Sequence, residues 1–220
     1  MINVLVAIPI NPNMSDYLAN LTRISAIRMS CYEPYMHFDY FFNDNAYVND
    51  GTHGSSCHAQ ARNAILDEGL KPYHNYVLWI DADIIVYPTD LPRLLYDTDN
   101  NAVVAPLVLR EGTDAFYDFN GFIEAGNKRM ARICPPYFEQ KGPIVELDSV
   151  GCVYMMPAGP FHNGVRYKTV DGHTEHWSVM EEYRKQGYRI ICNKDIVVIH
   201  ADLQKYGEDW HDNKSLGGSR

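Results

Sequence analysis

The chain has 220 residues, 46% of them hydrophobic and 21% charged, with a formal net charge of −9 at pH 7. That length suits one domain with a core of its own. The acidic balance, without any Lys/Arg cluster, disfavours a nucleic-acid phosphate backbone as partner, and no apolar run approaches the ~20 residues of a transmembrane helix.

The opening "MINVLVAIPINPN" has no basic segment before its apolar run, so Ile2–Ile10 is expected to be a first strand, covered on both faces, rather than a signal peptide. Ser15 is placed to cap a helix carrying Leu18, Leu21, Ile24 and Ile27 at helical spacing. His37–Asp44 reads as a second strand. Ser55 or Ser56 opens a helix through "CHAQARNAILDE" that Gly69 stops. Tyr76–Val86 is expected to be one strand ended by Pro88, followed by a short helix capped by Asp90 and a fourth strand, "NAVVAPLVL". Strands alternating with helices imply right-handed crossovers and a mostly parallel sheet. Further on, "DAFYDFNGFIEAGNKRM" and "ARICPPYFEQKG" read as loops or short strands, and "IVELDSVGCVYMMP" as strand material. Thr174 caps the helix "EHWSVMEEYRKQ", stopped by Gly187, and two short strands follow, "YRIIC" and "DIVVIH". The expected organisation is a single α/β domain over 1–212, with a nucleotide-binding half (1–110), an acceptor-side half (111–212) and a disordered tail (213–220). Five cysteines, Cys31, Cys57, Cys134, Cys152 and Cys192, show no CxxC spacing, which argues for reduced thiols and a cytoplasmic setting.

"VLWIDADIIVYPTDL" carries the chemistry. Asp81 and Asp83 sit inside an apolar run, and in a strand residues two apart share a face. Two carboxylates that close repel, and burial without a partner costs several kcal/mol. Lys71 and Arg93, the cations weighed as partners, are not spaced to pair with both. A divalent cation would remove both difficulties, since Mg²⁺ or Mn²⁺ takes hard oxygen ligands and keeps positions for substrate phosphates. Asp44, Asp81 and Asp83 all lie at carboxyl ends of strands, where open α/β sheets collect ligands. One class with such a pair, the haloacid-dehalogenase-type phosphotransferases and phosphohydrolases, wants Asp-x-Asp-x-Thr/Ser near the first strand; here Ile84 and Ile85 follow, deep in the chain. A non-catalytic sugar- or nucleotide-binding module is the other alternative.

The series "ARNAIL", "YVLWIDADIIVYPTDL", "VVAPLVLR", "YDFNGF", "LDSVGCVYMMP" and "HTEHWSVMEEYRKQGYRIICNKDIVVIH", covering about Ala61 to His200, resembles GT-A glycosyltransferases. It is most similar to the fungal mannan-polymerase α-mannosyltransferase family, glycosyltransferase family 62, and more loosely to family 2. The resemblance implies a GT-A fold and transfer of a sugar from a UDP- or GDP-sugar to a glycan, glycolipid or glycoprotein hydroxyl. It implies that Asp83 binds the metal directly, that Asp81 reaches it through water or contacts the donor ribose, and that His200 is a further ligand; an imidazole in the set favours Mn²⁺ over Mg²⁺. On the donor side, Arg62 would contact phosphate or orient Asp81, Asp44 would hold base or ribose, and the main chain near Pro9 would line the pocket. Asp148 would face the donor sugar, with Gly151 allowing close backbone approach. Asp118 and Asn120 would bind acceptor hydroxyls, with Tyr117, Phe119 and Phe122 stacking on sugar rings. Glu175 would contact a sugar, and His176 occupies the position of the general base in family 2, so retention and inversion both stay open. A loop holding His53 and His58 is a candidate lid; His162, His173 and His211 are expected to be exposed. A cytosolic bacterial, phage or viral enzyme is the expected setting.

Overall fold

The computed structural model describes residues 1–10, 14, 16–29, 34–43, 54–118, 121–126, 129–170 and 173–206. The expected caps at Ser15, Ser55 and Ser56, and the tail, lie outside the described residues or their side chains. Nine described strands form one sheet: β1 (Ile2–Pro9), β2 (Met36–Asn43), β3 (Tyr76–Ile80), β4 (Ile84–Val86), β5 (Ala102–Arg110), β6 (Ile123–Glu124), β7 (Ile144–Ser149), β8 (Val153–Pro157) and β9 (Arg189–His200). Their order is β2-β1-β3-β8-β5-β9-β7-β6, with β4 paired to β9 off this path. Five helices, α1 (Asp16–Met29), α2 (Gly54–Gly69), α3 (Leu91–Thr98), α4 (Gly159–His162) and α5 (Glu175–Lys185), complete the described elements with a 3₁₀ turn at Leu203–Tyr206.

The α/β expectation holds, with one change: the sheet is mixed. β1 pairs in parallel with β2 and β3, and β5 with β9, whereas β8 runs antiparallel to both β3 and β5. "IVELDSVGCVYMMP" makes this possible. It divides at Gly151–Cys152 into β7 and β8, two strands of one direction that insert on either side of the parallel β5–β9 pair and run against it. The near-continuous apolar runs behave as doubly covered strands should. Val4 to Ile8 and Val77 to Ile80 are at most 1% exposed, and Trp79 faces Tyr154 across β3 and β8, both at 0%.

β9 joins what were expected to be two strands. Its first half pairs with β7 through Asn193, its second half with β4, and the register against β5 shifts between Pro106 and Leu107. Proline has no N–H for a ladder, so an irregularity there is expected. The shift lets one strand change partner on one side, and it brings His200 opposite Ile84.

The expected strand Tyr76–Val86 is broken at the acidic pair. The chain leaves β3 at Ile80, turns through Asp81–Asp83 and re-enters the sheet as β4. Three distant elements hold this turn. Asp81 N–H donates to the Cys152 carbonyl (3.0 Å), the buried Thr22 hydroxyl of α1 donates to the Ala82 carbonyl, and Ala201 N–H donates to the Asp83 carbonyl (2.8 Å). The two aspartates are therefore presented by a pinned turn, not by strand periodicity. Replacing Thr22 by valine strips a buried carbonyl of its donor, and should cost about 1–3 kcal/mol in urea denaturation.

Candidate functional site

Pro9, Arg62, Asp81, Asp83, Asp118, Glu175, His176 and His200 line one cleft, together with Met14, His58, Ala82, Tyr117, Cys152 and Thr174. Most of these come from carboxyl ends of strands or the loops beyond them, where the fold leaves space. Asp44 and Asn120, two further expected site residues, lie outside the described residues, as do Phe119, His53 and His211.

The aspartate pair does not act as a pair. Asp81 keeps 27% of its side chain open to the cleft, but its Oδ1 accepts from Arg62 Nη2 at 2.7 Å. The cation missing from the sequence neighbourhood thus comes from α2. Arg62 is 3% exposed and spans two carboxylates, with Nε 3.4 Å from Glu175 Oε1, while its guanidinium lies 5.1 Å from the Trp79 ring and 5.8 Å from the Tyr167 ring. With its fork divided between two acids, Arg62 orients protein side chains. A bidentate grip on a phosphate, one of its two expected roles, is taken up by Asp81 and Glu175 instead.

Asp83 turns to His200. His200 Nε2 lies 2.9 Å from Asp83 Oδ2, while Nδ1–H donates to the Ala201 carbonyl at 2.7 Å. A carbonyl can only accept, so Nδ1 holds the proton and Nε2 is the nitrogen aimed at the carboxylate. Burial lowers the His200 pKa, but Asp83 more than offsets this and leaves it above the ordinary value. Tyr117 stacks on the imidazole, centroids 3.3 Å apart at 17°.

Asp118 sits in a slot made by two glycines. A Cβ on Gly151 would come within 1.8 Å of Asp118 Oδ2, and one on Gly121 within 2.4 Å. Gly121 N–H donates to Oδ1 at 3.2 Å. The close approach expected at Gly151 is real, but the group that approaches is Asp118. Next to it Cys152 adopts φ +57°, a conformation uncommon outside glycine and frequent at functional sites. Some Asp118 surface reaches the cleft, yet burial, followed by the charges of Asp81 and Glu175, pushes its pKa up to about 7.

Glu175, 4% exposed, receives His176 Nε2 at 3.3 Å and His58 Nδ1 at 3.8 Å on the oxygen that Arg62 also approaches. Burial raises its pKa, and His176, Arg62 and His58 bring it back below the ordinary value. Arg62 is the permanent charge among them. Burial, against Glu175, pushes His176 down to about 3, so the ring is a neutral N–H donor at physiological pH.

Two expectations need correction. Asp148 stands on β7 outside the cleft, its Oδ1 3.2 Å from Arg184 Nη1 of α5, and Arg184 also donates to its carbonyl. The alternation of β7 points it toward that helix. Phe122 is fully buried against Phe116, centroids 4.9 Å apart, and has no face for a sugar. Sequence reasoning also gave no role to Tyr154, Tyr167 or Thr22. A tyrosine in an apolar strand carries no signal that its hydroxyl serves a cleft two elements away.

Four carboxylates meet in this cleft against one arginine and three histidines, of which His176 is neutral, a field that repels a diphosphate and attracts a cation. Among the described residues no group of three or more His, Cys, Asp or Glu side chains could hold a metal ion by itself. Asp83 and His200 could supply two ligands. Neighbouring ligands on an octahedral ion sit about 3.0 Å apart for bonds of about 2.1 Å, close to the 2.9 Å seen here. A divalent ion that keeps positions for substrate phosphates fits this donor set.

The fold is of the GT-A glycosyltransferase class. Solved structures it resembles include Staphylococcus aureus TarS residues 1–349, at TM-score 0.54 and 10% identity over 93% of this chain and 62% of that one. Another is a glycosyltransferase involved in glycosylation of the major capsid of PBCV-1, at TM-score 0.50 and 12% identity over 96% and 100%. At such identities the likeness concerns the fold alone. Residues 55–132 match the family described as Anp1. The chain is 30% identical over 162 residues to the mannan polymerase I complex VAN1 subunit of Saccharomyces cerevisiae, covering 60% of this chain and 30% of that protein. It is 34% identical over 68 residues to the mannan polymerase complex subunit mnn9 of Schizosaccharomyces pombe, covering 30% and 20%. The resemblance to the mannan-polymerase family is borne out, and the chain spans less than a third of these relatives' length. Their fungal origin speaks against the bacterial or phage setting expected from sequence. No described helix is long and apolar enough to cross a membrane.

Proposed function

We propose that the chain is the catalytic domain of a metal-dependent glycosyltransferase. It moves a sugar from a UDP- or GDP-sugar to a hydroxyl of a glycan, with mannan-type chains the acceptor its relatives' names suggest. The observation that carries this reading is the Asp83–His200 contact, assembled from the acidic turn and the end of β9 in a cleft with surplus negative charge. Asp83 and His200 would hold Mn²⁺ or Mg²⁺, which would supply Lewis-acid stabilisation of negative charge on a departing diphosphate.

The protein's own groups position the rest. Arg62 keeps Asp81 and Glu175 in place from one buried guanidinium. Asp81 would face the donor ribose or reach the metal through water, and the main chain at Pro9 lines the donor side. Asp118, wedged against Gly121 and Gly151, and Glu175, anchored through one oxygen, are the carboxylates that meet sugar hydroxyls. A phosphohydrolase would need Asp81 as nucleophile, and Arg62 already occupies Asp81 Oδ1. By analogy with relatives named as complex subunits, other subunits are partners of the full-length protein.

A thermal-shift series with GDP, UDP and Mn²⁺ tests this. At 100-fold excess over Kd, binding adds about 2.7 kcal/mol, or roughly 5–10 °C in Tm for a domain of this size. The shift should require metal and vanish in Asp83→Ala. A nucleotide shift of the same size without metal, or retained in Asp83→Ala, contradicts the reading.

A further inference from the structure

Behind Glu175 lies a chain of polar groups that the reaction as described does not use. The Tyr167 hydroxyl is 2.8 Å from the Tyr154 hydroxyl, Tyr154 is 3.0 Å from His176 Nδ1, and His176 Nε2 is 3.3 Å from Glu175 Oε1. All four side chains are buried, with Tyr154 at 0%, Tyr167 at 2%, Glu175 at 3% and His176 at 6% exposure. A buried network of this kind is stabilising only if every donor meets an acceptor.

The last member fixes the direction of the chain. An ionised carboxylate only accepts, so the nitrogen facing Glu175 must carry a proton; the other tautomer would set an imidazole lone pair against a carboxylate oxygen. With Nε2 protonated on a neutral ring, Nδ1 must accept, so Tyr154 donates to it. Tyr154 oxygen then accepts from Tyr167. The proton order is Tyr167 to Tyr154 to His176 to Glu175. Burial raises both phenols, so each keeps the proton this order requires. Asn63 clamps the start of the chain: its side chain donates to the Tyr167 carbonyl and accepts from the Tyr167 N–H, both at 2.9 Å.

The geometry points to Tyr154 and Tyr167 as positioning residues of the transfer reaction, acting through His176. Their hydroxyls lock the imidazole in the tautomer that donates to Glu175, and this ties one carboxylate oxygen to the protein and aims the other at the sugar. The inference rests on the reading of Glu175 as a sugar-contacting carboxylate. It places His176, which stands where family 2 has its base, in a role that holds a proton throughout the reaction rather than taking one.

The test combines a spectroscopic and a kinetic readout on the intact protein. In ¹⁵N-histidine-labelled protein, with His176 assigned by its loss in His176→Asn, the wild-type ring should be neutral and protonated at Nε2 between pH 5 and 8. Tyr154→Phe should mix the two tautomers and lower kcat about 10–100-fold, since a misplacement of about 1 Å in an active-site group costs on the order of 100-fold, with the donor KM changed less than about twofold. Tyr167→Phe, one hydroxyl further away, should act in the same direction and more weakly, and it serves if Tyr154→Phe fails to fold. A wild-type ring protonated at Nδ1 overturns the inference, as does a tautomer shift with kcat unchanged. Failure of the nucleotide and metal to bind would instead overturn the transferase reading, and would leave the tautomer result standing on its own.

Discussion

Replacing Arg62 by methionine should remove about 3–5 kcal/mol of stability at neutral pH, the cost of stripping a buried ion pair of one partner. Methionine keeps much of the length and the contact with Trp79 and Tyr167, so the loss isolates the charge. What remains is Asp81 and Glu175, with Asp83 nearby and no cation between them. The loss should depend on pH in a defined sense. In the wild type Glu175 titrates below its ordinary value, so its contribution is present above the unfolded carboxylate range and fades as pH falls. In the variant burial acts unopposed by Arg62, and the folded state gains from protonation. The deficit should therefore be largest near pH 7 and shrink toward pH 4.5 in urea titrations. A deficit below about 1 kcal/mol, or one that does not change with pH, would show that Arg62 packs without pairing.

Gly151→Ala should nearly abolish transfer. The added Cβ falls 1.8 Å from Asp118 Oδ2 and 3.0 Å from its carboxyl carbon, so Asp118 must leave its slot. A misplacement of about 1 Å in such a group costs on the order of 100-fold in rate, and the forced repacking adds about 1–3 kcal/mol of destabilisation. The next nearest atom, His176 Cδ2, lies at an ordinary 3.4 Å, so Asp118 alone is the obstacle. That makes the cause separable. In an Asp118→Ala background the same Gly151→Ala change should cost less than about 1 kcal/mol, giving a coupling energy above 1 kcal/mol for a pair in contact. Equal costs in both backgrounds would place the strain elsewhere, for instance at the neighbouring Cys152 backbone.

The parts of this molecule that follow local rules were legible. Val4–Ile8 and Val77–Ile80 are apolar runs long enough for doubly covered strands, and they are such strands. The helix before the acidic pair, the helix at Thr174 and the strand that ends in His200 follow from spacing and from breakers at Gly69 and Gly187. The acidic pair marked the cleft because carboxylates inside a buried run need compensation, and Arg62 and His200 meet them there. Period-two logic then failed at that site. Nothing local reveals that Cys152, Thr22 and Ala201 will hold Asp81–Asp83 in a turn, or that Arg62 will claim one aspartate and leave the other to His200. Strand direction failed for a related reason: β7 and β8 both run against the parallel β5–β9 pair, and the neighbours β3 and β5 of β8 are chosen by tertiary packing. Asp148 illustrates the same limit, since its partner Arg184 lies on a helix that only the assembled fold brings near. Eight expected residues nevertheless meet in one cleft, because residues at the carboxyl ends of strands in such a sheet converge wherever their neighbours come from.

Asp83 and His200, whose side chains lie 2.9 Å apart, would together hold a divalent ion when nucleotide binds. Anomalous diffraction from a crystal grown with Mn²⁺ and GDP tests it most directly. The account predicts a manganese peak joining the Asp83 carboxylate, His200 Nε2 and the diphosphate, with Asp81 still on Arg62. A diphosphate bound with no manganese peak at that position, and His200 Nε2 still against Asp83 Oδ2, would overturn this reading.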